Sequence, residues 1–380
     1  MTTTEGSRDR DEHGNRPSCC ATAPSPAAPL CTGAPWIEGA ARTDVGDVPR
    51  VRTTLCARDR LGTVKARLGI GRMNYRVTPG LYAVGDPSAK SPVLVSANYK
   101  MSFDSLRAEL SGRDAWILVL DTKGINVWCA AGKGTFGTDE IVRRAQGAAL
   151  DRIVSHRTLV VPQLGAPGVS AHEVRRRSGF RVVYGPVRAG DLPAFLDAGL
   201  KAQPGMRLMR FPVQERAVLI PMEIVSGGKY ALLAAAAFLL LGGLGARGYS
   251  LAGVRTSGLI GATMILGAFL CSAVLGPVLL PWLPGRAFSI KGAALGLLLI
   301  GTLTVCTGLY GSWLRAVAWA PIVSAIASFV VMNFTGASTY TSLSGVKREM
   351  RFAVPAQIAG AIVGFALWFT SLFVAGGARA

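Results

Sequence analysis

Two patterns of apolar and polar positions divide the chain. From about residue 90 to 200, SPVLVSA (91–97), AWILVLD (115–121), TLVVPQL (158–164) and FRVVYG (180–185) are apolar runs of strand length. Helical signals lie between and after them. Ser102 reads as the N-cap of a helix through Leu110. Thr138-Asp139-Glu140 opens a helix to about Val154, its acids in the first turn where the helix dipole favours them. Ser170-Ala171-His172-Glu173 has the form of a capping box, and Asp191 caps a short helix through Leu200. Such alternation predicts an α/β, Rossmann-like domain with a mostly parallel sheet and helices on both faces. Ligands of these sheets bind beyond the C-terminal ends of the strands. The segment GINVWCAAGKGT (124–135) follows the run 115–121 directly and so falls at that edge.

After Lys229 the second pattern begins. Residues 230–246, 256–285, 292–314, 316–346 and 352–378 carry no charge, the fourth becoming polar after about Phe334. Each apolar core approaches the twenty or so residues that a bilayer-spanning helix needs. The expectation is an all-α transmembrane domain of five helices, at about 230–246, 257–281, 292–311, 316–334 and 353–375. The soluble domain then covers 36–228. Residues 1–35, rich in Ser, Thr, Pro and Ala and without apolar period, form a disordered tail.

Charge refines this division. The net charge is +19, yet residues 229–380 hold one acid, Glu349, against ten Lys and Arg. These bases flank apolar runs, where they orient a membrane protein. No nucleic-acid recognition motif accompanies them, so nucleic acid is not an expected partner. With the soluble domain inside, the inner loops carry Arg286, Lys291, Lys347, Arg348 and Arg351, and the outer loops Arg247, Arg255 and Arg315. The approach segment adds Arg207, Arg210, Arg216 and Lys229. The bias predicts a multi-pass protein of the cell membrane with its soluble domain in the cytoplasm. The sequon Asn333-Phe334-Thr335 then falls on the inner face and reads as a chance match. The polar N-terminus has no apolar signal core.

Of seven cysteines (Cys19, Cys20, Cys31, Cys56, Cys129, Cys271 and Cys306) none makes a CxxC pair, which argues against a tetracysteine zinc or iron–sulfur site within this chain. The first three are incidental tail thiols. Cys129 needs closer reading. A phosphate-binding P-loop requires G-x-x-x-x-G-K-[ST]. Here seven residues separate Gly124 from Gly132, and Gly134 follows Lys133, so neither the nest nor the magnesium-binding hydroxyl is present. As a short helix, NVWCAAGK sets Asn126, Cys129 and Lys133 on one face. Ala130, Ala131 and Gly132 leave the thiol's neighbourhood small, and Trp128 points aside as an anchor. The residues alone leave two readings open. Cys129 is either a small hydrophobe between helix and sheet, or a thiol on a flat face that meets something wide.

NVWCAAGK resembles the cap-helix signature of the mercury-methylating corrinoid protein family (HgcA). PGLYAVGDPSAKSPVLVSANYKMSFDSLR (79–107), VVPQLGAPGVSAHEVRRRSGFRVVYGPVRAGD (160–191) and MNFTGASTYTSLSGVKREM (332–350) resemble it too. The latter stretches are equally similar to the large subunit of the corrinoid iron–sulfur protein. That relative has no transmembrane helices, no cysteine at the cap helix, and an N-terminal iron–sulfur module. The resemblance spans about residues 36–376. Cys129 and the apolar helices favour the mercury-methylating branch.

The resemblance implies a corrinoid cofactor (cobalamin-type, with cobalt) in the soluble domain and Cys129 as its lower axial cobalt ligand. Asn126, Val127, Trp128, Ala130, Ala131, Gly132 and Lys133 would shape the helix beneath the ring. The loops after the first and third strands, with Gly165, Gly168 and Ser170, would hold the cofactor's tail. A thiolate is a soft donor suited to transition metals, and placed trans to a methyl group it favours transfer to an electrophile such as Hg(II). The implied activity is a corrinoid-dependent methyltransferase that converts inorganic Hg(II) to methylmercury. The implied partners are a ferredoxin-like [4Fe–4S] electron donor and a methyltetrahydrofolate-linked methyltransferase as methyl donor. The alternative is a membrane-anchored corrinoid methyl carrier of one-carbon metabolism with another acceptor. A transporter would need ionisable groups within its spans, and these are nearly absent.

Overall fold

The computed structural model describes residues 34–307, 313–337 and 343–374. The predicted tail, with Cys19, Cys20 and Cys31, lies outside the described residues except for its last two positions.

A seven-stranded mixed sheet forms the N-terminal domain. Its strands are β1 (Ile37–Thr43), β2 (Gly46–Val51), β3 (Gly80–Val84), β4 (Val93–Ala97), β5 (Ala115–Leu120), β6 (Thr158–Val161) and β7 (Arg181–Tyr184). They lie in the order β1-β2-β3-β5-β4-β6-β7. The block β5-β4-β6-β7 is parallel, whereas β3 runs antiparallel to β5 and β1 to β2. All residues of β4 and β5 are buried, as continuous apolar strands covered on both faces must be. Successive side chains point to opposite faces. Val93, Val95, Leu118, Leu120, Leu159 and Val161 share one core with α3 (Val127–Gly132), α4 (Thr138–Gly147), α5 (Leu150–Ile153) and α6 (Ala171–Ser178). Leu94, Ile117, Val119 and Val160 share the other with Phe103 of α2 (Lys100–Ala108) and Phe195 of α7 (Leu192–Asp197).

The four predicted strands are present, and several boundaries move for physical reasons. The run 158–164 is a strand only to Val161, because Pro162 ends it and a 3-10 turn, Gln163–Gly168, follows. The predicted helix 138–154 divides into α4 and α5, with Ala149 between them in the left-handed region at φ 44°. Ser102 lies inside α2, whose N-cap is Tyr99. Ser170 and Asp191 occupy N-cap positions, but neither side chain makes a cap bond. For Asp191, Pro193 in the first turn removes one of the N–H groups a cap would satisfy. The sequence pattern also passes over β1, β2, β3 and α1 (Ala57–Arg67). The edge strand β1 exposes most of its residues and so lacks an apolar run.

Tertiary ion pairing explains where α2 begins. The Lys100 ammonium is 2.8 Å from Asp59 of α1 and 2.6 Å from Asp104 one turn on. Arg107 reaches Asp59 at 2.8 Å and Asp104 at 2.7 Å, and also donates to the Arg52 carbonyl. All four side chains are buried. The Trp36 ring lies 4.4 Å beneath the Lys100 ammonium. Burial pushes the Asp59 carboxyl up, but Lys100 and the Cys56 N–H outweigh it and hold the group well below the usual carboxylate range.

The C-terminal region is helical. Among the described residues four helices are long and apolar enough to cross a membrane: Val213–Leu241, Leu251–Leu279, Phe288–Cys306 and Gly345–Val374. They comprise α8 (Val213–Ala217) with α9 (Ile220–Leu241), α10 (Leu251–Gly253) with α11 (Leu259–Leu279), α12 (Phe288–Thr307), and α14 (Leu343–Val374). The predicted span 316–334 falls on α13 (Trp313–Asn333), whose apolar helix Val317–Asn333 is shorter. Helices α12 and α13 approach closely at Gly296, where an added Cβ would stand 2.6 Å from the Ser324 Cα. Phe211 and Leu219, leading in from the α/β domain, pack on Leu280, Leu283, Phe288 and Phe334. This packing gathers the 280–288 turn and the end of α13 at the bundle's domain-facing end.

Asp59→Asn should destabilise the chain by about 3 kcal/mol, because it leaves the buried Lys100 and Arg107 undercompensated. A depressed carboxylate contributes its stability above its unfolded pKa and loses it as pH falls through the folded one. Wild-type stability should therefore fall on acidification below about pH 4, and the variant should lose less over the same range. Denaturant titrations of the full chain at pH 7 and pH 3 read both effects.

Candidate functional site

The site lies where β4 and β5 end side by side. After β5 the chain turns through 121–126 into α3, and one side chain from the end of β4 holds that turn. Asn98 Oδ1 accepts from the N–H of Thr122 at 3.1 Å, the hydroxyl of Thr122 at 2.8 Å and the N–H of Gly124 at 2.9 Å. Its Nδ2 donates to Asp121 at 3.2 Å. Asn98 and Thr122 are fully buried. The Ile125 carbonyl, 2.7 Å from the Thr122 hydroxyl, shares its one proton with Asn98. Lys123 and Gly124 lie in the left-handed region at φ 59° and 74°. At Gly124 a Cβ would stand 2.8 Å from the Met73 carbonyl oxygen, so only glycine fits there. Burial raises the Asp121 carboxyl, but the Lys123 ammonium at 2.7 Å and its N–H outweigh that and hold it below its ordinary value. Glu140, at the start of α4, accepts the Asp121 N–H at 2.8 Å and ties α4 to the same turn.

The turn delivers α3 with a defined start. Asn126 is its N-cap, and the side chain accepts the Cys129 N–H at 2.9 Å. The helix spans six residues and ends with Lys133 as C-cap. Asn126, Val127, Trp128 and Cys129 are partly exposed, while Gly132 and Lys133 are exposed. Cys129 is a free thiol. Ala130 and Ala131, in contrast, face the core at 0% and 5% exposure. Their small size is demanded from behind. Phe136 is buried against them, and the turn Gln163–Gly168 packs on the helix so closely that a Cβ at Gly168 would stand 3.1 Å from the Ala131 Cα and overlap the Phe136 carbonyl oxygen. A Cβ at Gly165 would strike the Phe136 ring. The flat face expected over Ala130, Ala131 and Gly132 is thus reduced: the two alanines are packing residues. The accessible surface is Asn126–Cys129 with Gly132 and Lys133. Gly165 and Gly168 lie directly behind α3, and Ser170 donates its N–H to the Thr138 hydroxyl at 2.9 Å.

Donor chemistry decides whether these residues suit a corrinoid. Among the described residues no group of three or more His, Cys, Asp or Glu could enclose a bare ion. One accessible thiol on a rigidly started helix suits a metal that brings its remaining ligands in its own macrocycle and needs a single soft axial donor. The residues therefore fit the group. Asn98, Asp121, Thr122 and Gly124 escape a motif-based reading. The available signal is their polarity at the ends of two buried apolar strands, in SANYK and LDTKG.

A family model described as "CO dehydrogenase/acetyl-CoA synthase delta subunit" (CdhD) matches residues 71–196. The chain is also similar to the acetyl-CoA decarbonylase/synthase complex subunit gamma of several archaea. It is 32% identical to that of Methanopyrus kandleri over 128 residues, 33% of this chain and 27% of that protein. It is 29% identical to that of Archaeoglobus fulgidus over 128 residues, again 33% and 27%. It is 32% identical to that of Methanosarcina acetivorans over 130 residues, with the same shares. The similarity thus spans about a quarter of the length of these relatives. The region matched by the family model includes the Asn98 clamp and all of α3.

Asn98→Ala should free the 121–126 turn and cost about 2 kcal/mol. Iodoacetamide labelling of Cys129, quantified on its own peptide by mass spectrometry, should then accelerate several-fold, while Ser102→Ala leaves it unchanged.

Proposed function

We propose that this chain is a membrane-anchored, corrinoid-dependent methyltransferase that methylates inorganic Hg(II), with Cys129 as lower axial cobalt ligand. The observation that carries this reading is Cys129 itself, a free and partly exposed thiol held by the Asn126 cap at the C-terminal edge of the sheet. When bound, the corrinoid supplies the methyl-transfer chemistry. The chain's own residues bind and orient it. Cys129 would offer a soft sulfur donor to the cobalt, and the Asn126 cap fixes the backbone from which the thiol projects. Val127, Trp128, Gly132 and Lys133 would border the cofactor, Ala130 and Ala131 support the helix from the core, Gly165 and Gly168 back α3 through Phe136 and Ala131, and the loop they form with Ser170 would hold the tail. A strong thiolate donor biases the system toward an electrophilic acceptor, which favours Hg(II) as substrate. The resemblance of NVWCAAGK supports the same branch.

The partners that follow are a ferredoxin-like [4Fe–4S] electron donor and a methyltetrahydrofolate-linked methyl donor. The apolar helices and basic loops support a cell-membrane location with the α/β domain in the cytoplasm. A second reading, a membrane-anchored methyl carrier of one-carbon metabolism, is favoured by the names of the matched relatives, which belong to an acetyl-CoA decarbonylase/synthase complex.

The test is to express the full chain with a ferredoxin-like donor and to measure both bound corrinoid and methylmercury. Wild type should bind corrinoid with thiolate-ligated absorbance and produce methylmercury. Cys129→Ala should retain corrinoid, shift its spectrum and lose at least about tenfold in methylation, equivalent to more than about 1.4 kcal/mol of transition-state stabilisation. Corrinoid binding without mercury methylation would favour the carrier, and unchanged methylation in the variant would remove the axial role.

A further inference from the structure

The membrane domain contains a site unconnected with Cys129. Between α12, α13 and α14 lies a cavity of about 880 Å³ at the end of the bundle that faces the α/β domain. Its mouth carries Arg286 and Arg348. Both are exposed, and among the described residues neither has an ion-pair partner. The one acid there, Glu349, is already engaged: its Oε1 accepts the Ser289 N–H in the first turn of α12 at 2.6 Å. Lys347 and Arg351 flank Arg348 and Glu349 on α14, so the rim is cationic.

Deeper in, the lining turns polar and then apolar. Gln357 is only 8% exposed. Its amide nitrogen donates to Ser328 Oγ at 2.8 Å, and Ser328 passes a hydrogen bond to the Ser289 carbonyl at 2.9 Å. The other end of the amide, Oε1, is buried without a partner, as is Ser324 Oγ. Which end of such an amide is oxygen is settled by its hydrogen bonds. In either orientation one polar atom of Gln357 is left unsatisfied beside the cavity. Ala293, Ala356 and Gly360 then leave a shallow apolar channel along the helices. A buried, half-satisfied amide within a bilayer-spanning helix is costly, and it sits where cationic rim and apolar channel meet.

We propose that this cavity binds an anionic phospholipid from the leaflet facing the α/β domain. The phosphate meets Arg286 and Arg348, a polar group of the glycerol region meets Gln357 and Ser324, and an acyl chain follows Ala293, Ala356 and Gly360. Arginine suits the phosphate, because its planar fork makes two parallel hydrogen bonds. Basic pockets between helices at a membrane face are a recurrent setting for anionic headgroups.

Native mass spectrometry of the detergent-solubilised full chain tests this, using phosphatidylglycerol and phosphatidylcholine with identical acyl chains. Wild type should retain phosphatidylglycerol roughly thirtyfold better, because the choline cation of phosphatidylcholine offsets its phosphate before the two arginines while phosphatidylglycerol keeps its net charge. Arg286→Ala with Arg348→Ala should abolish that preference, and Gln357→Leu should weaken retention. Arg255→Ala, at the opposite end of the bundle, should change nothing. Equal retention of both lipids by wild type would overturn the proposal, with no variant needed. So would displacement of the bound lipid by millimolar inorganic phosphate, which would mark a site for the free anion.

Discussion

Everything at the candidate site hangs on the way two parallel strands are finished. β4 and β5 end beside each other with their backbones still facing a buried core, and the chain must leave β5 without stranding polar groups there. Asn98 resolves this. Its carbonyl oxygen takes two N–H groups and a hydroxyl from the following turn, and its amide donates to Asp121. A buried acceptor with three donors is costly to disturb, because each donor released must find water in a place where water has little access. The turn it holds includes two consecutive left-handed residues, the second a glycine pressed on the Met73 carbonyl, so its path is narrowly specified. The position of Cys129 is therefore inherited from a strand end thirty-one residues earlier.

The same economy recurs elsewhere in the α/β domain. Helix α3 is too short to be stable by its own hydrogen bonds. It is held between the Asn126 cap in front and Phe136 with the Gln163–Gly168 turn behind. On the opposite face of the sheet, α1 and α2 are joined by two carboxylates and two cations in alternation rather than by apolar contact alone. Each of those charges has two partners, which is what makes burial of all four tolerable. One face of the sheet is thus built for close packing under α3, and the other for a rigid base.

The alternation of apolar runs made the parallel core legible, since β4, β5, β6 and β7 are nearly unbroken in Val, Ile and Leu. The first three strands were not, because β1 is an exposed edge and β3 is reached only through a long polar stretch. The start of α2 escapes the pattern because a tertiary contact outweighs a cap: Lys100 begins the helix where Asp59 and Asp104 await it, two residues before the serine that looks like the signal. Cys129 was legible from its motif, and so was its position at the strand edge. The reason for its small neighbours was not. Ala130 and Ala131 read as clearance for a ligand, yet they serve a phenylalanine six and five residues further on. A sequence shows that a position must be small; it does not show from which side the pressure comes.

The apolar joint at Phe211 and Leu219 carries a consequence of another kind. A domain on a loose tether explores many tilts, and a macromolecule arriving at it must wait for the right one. Here the approach segment is packed on Leu280, Leu283, Phe288 and Phe334, so the domain surrenders much of its rotational freedom when the chain folds. Any macromolecule that docks on the α/β domain would then meet a surface already fixed in attitude. The orientational part of the association entropy has been spent in advance, during folding rather than at each encounter.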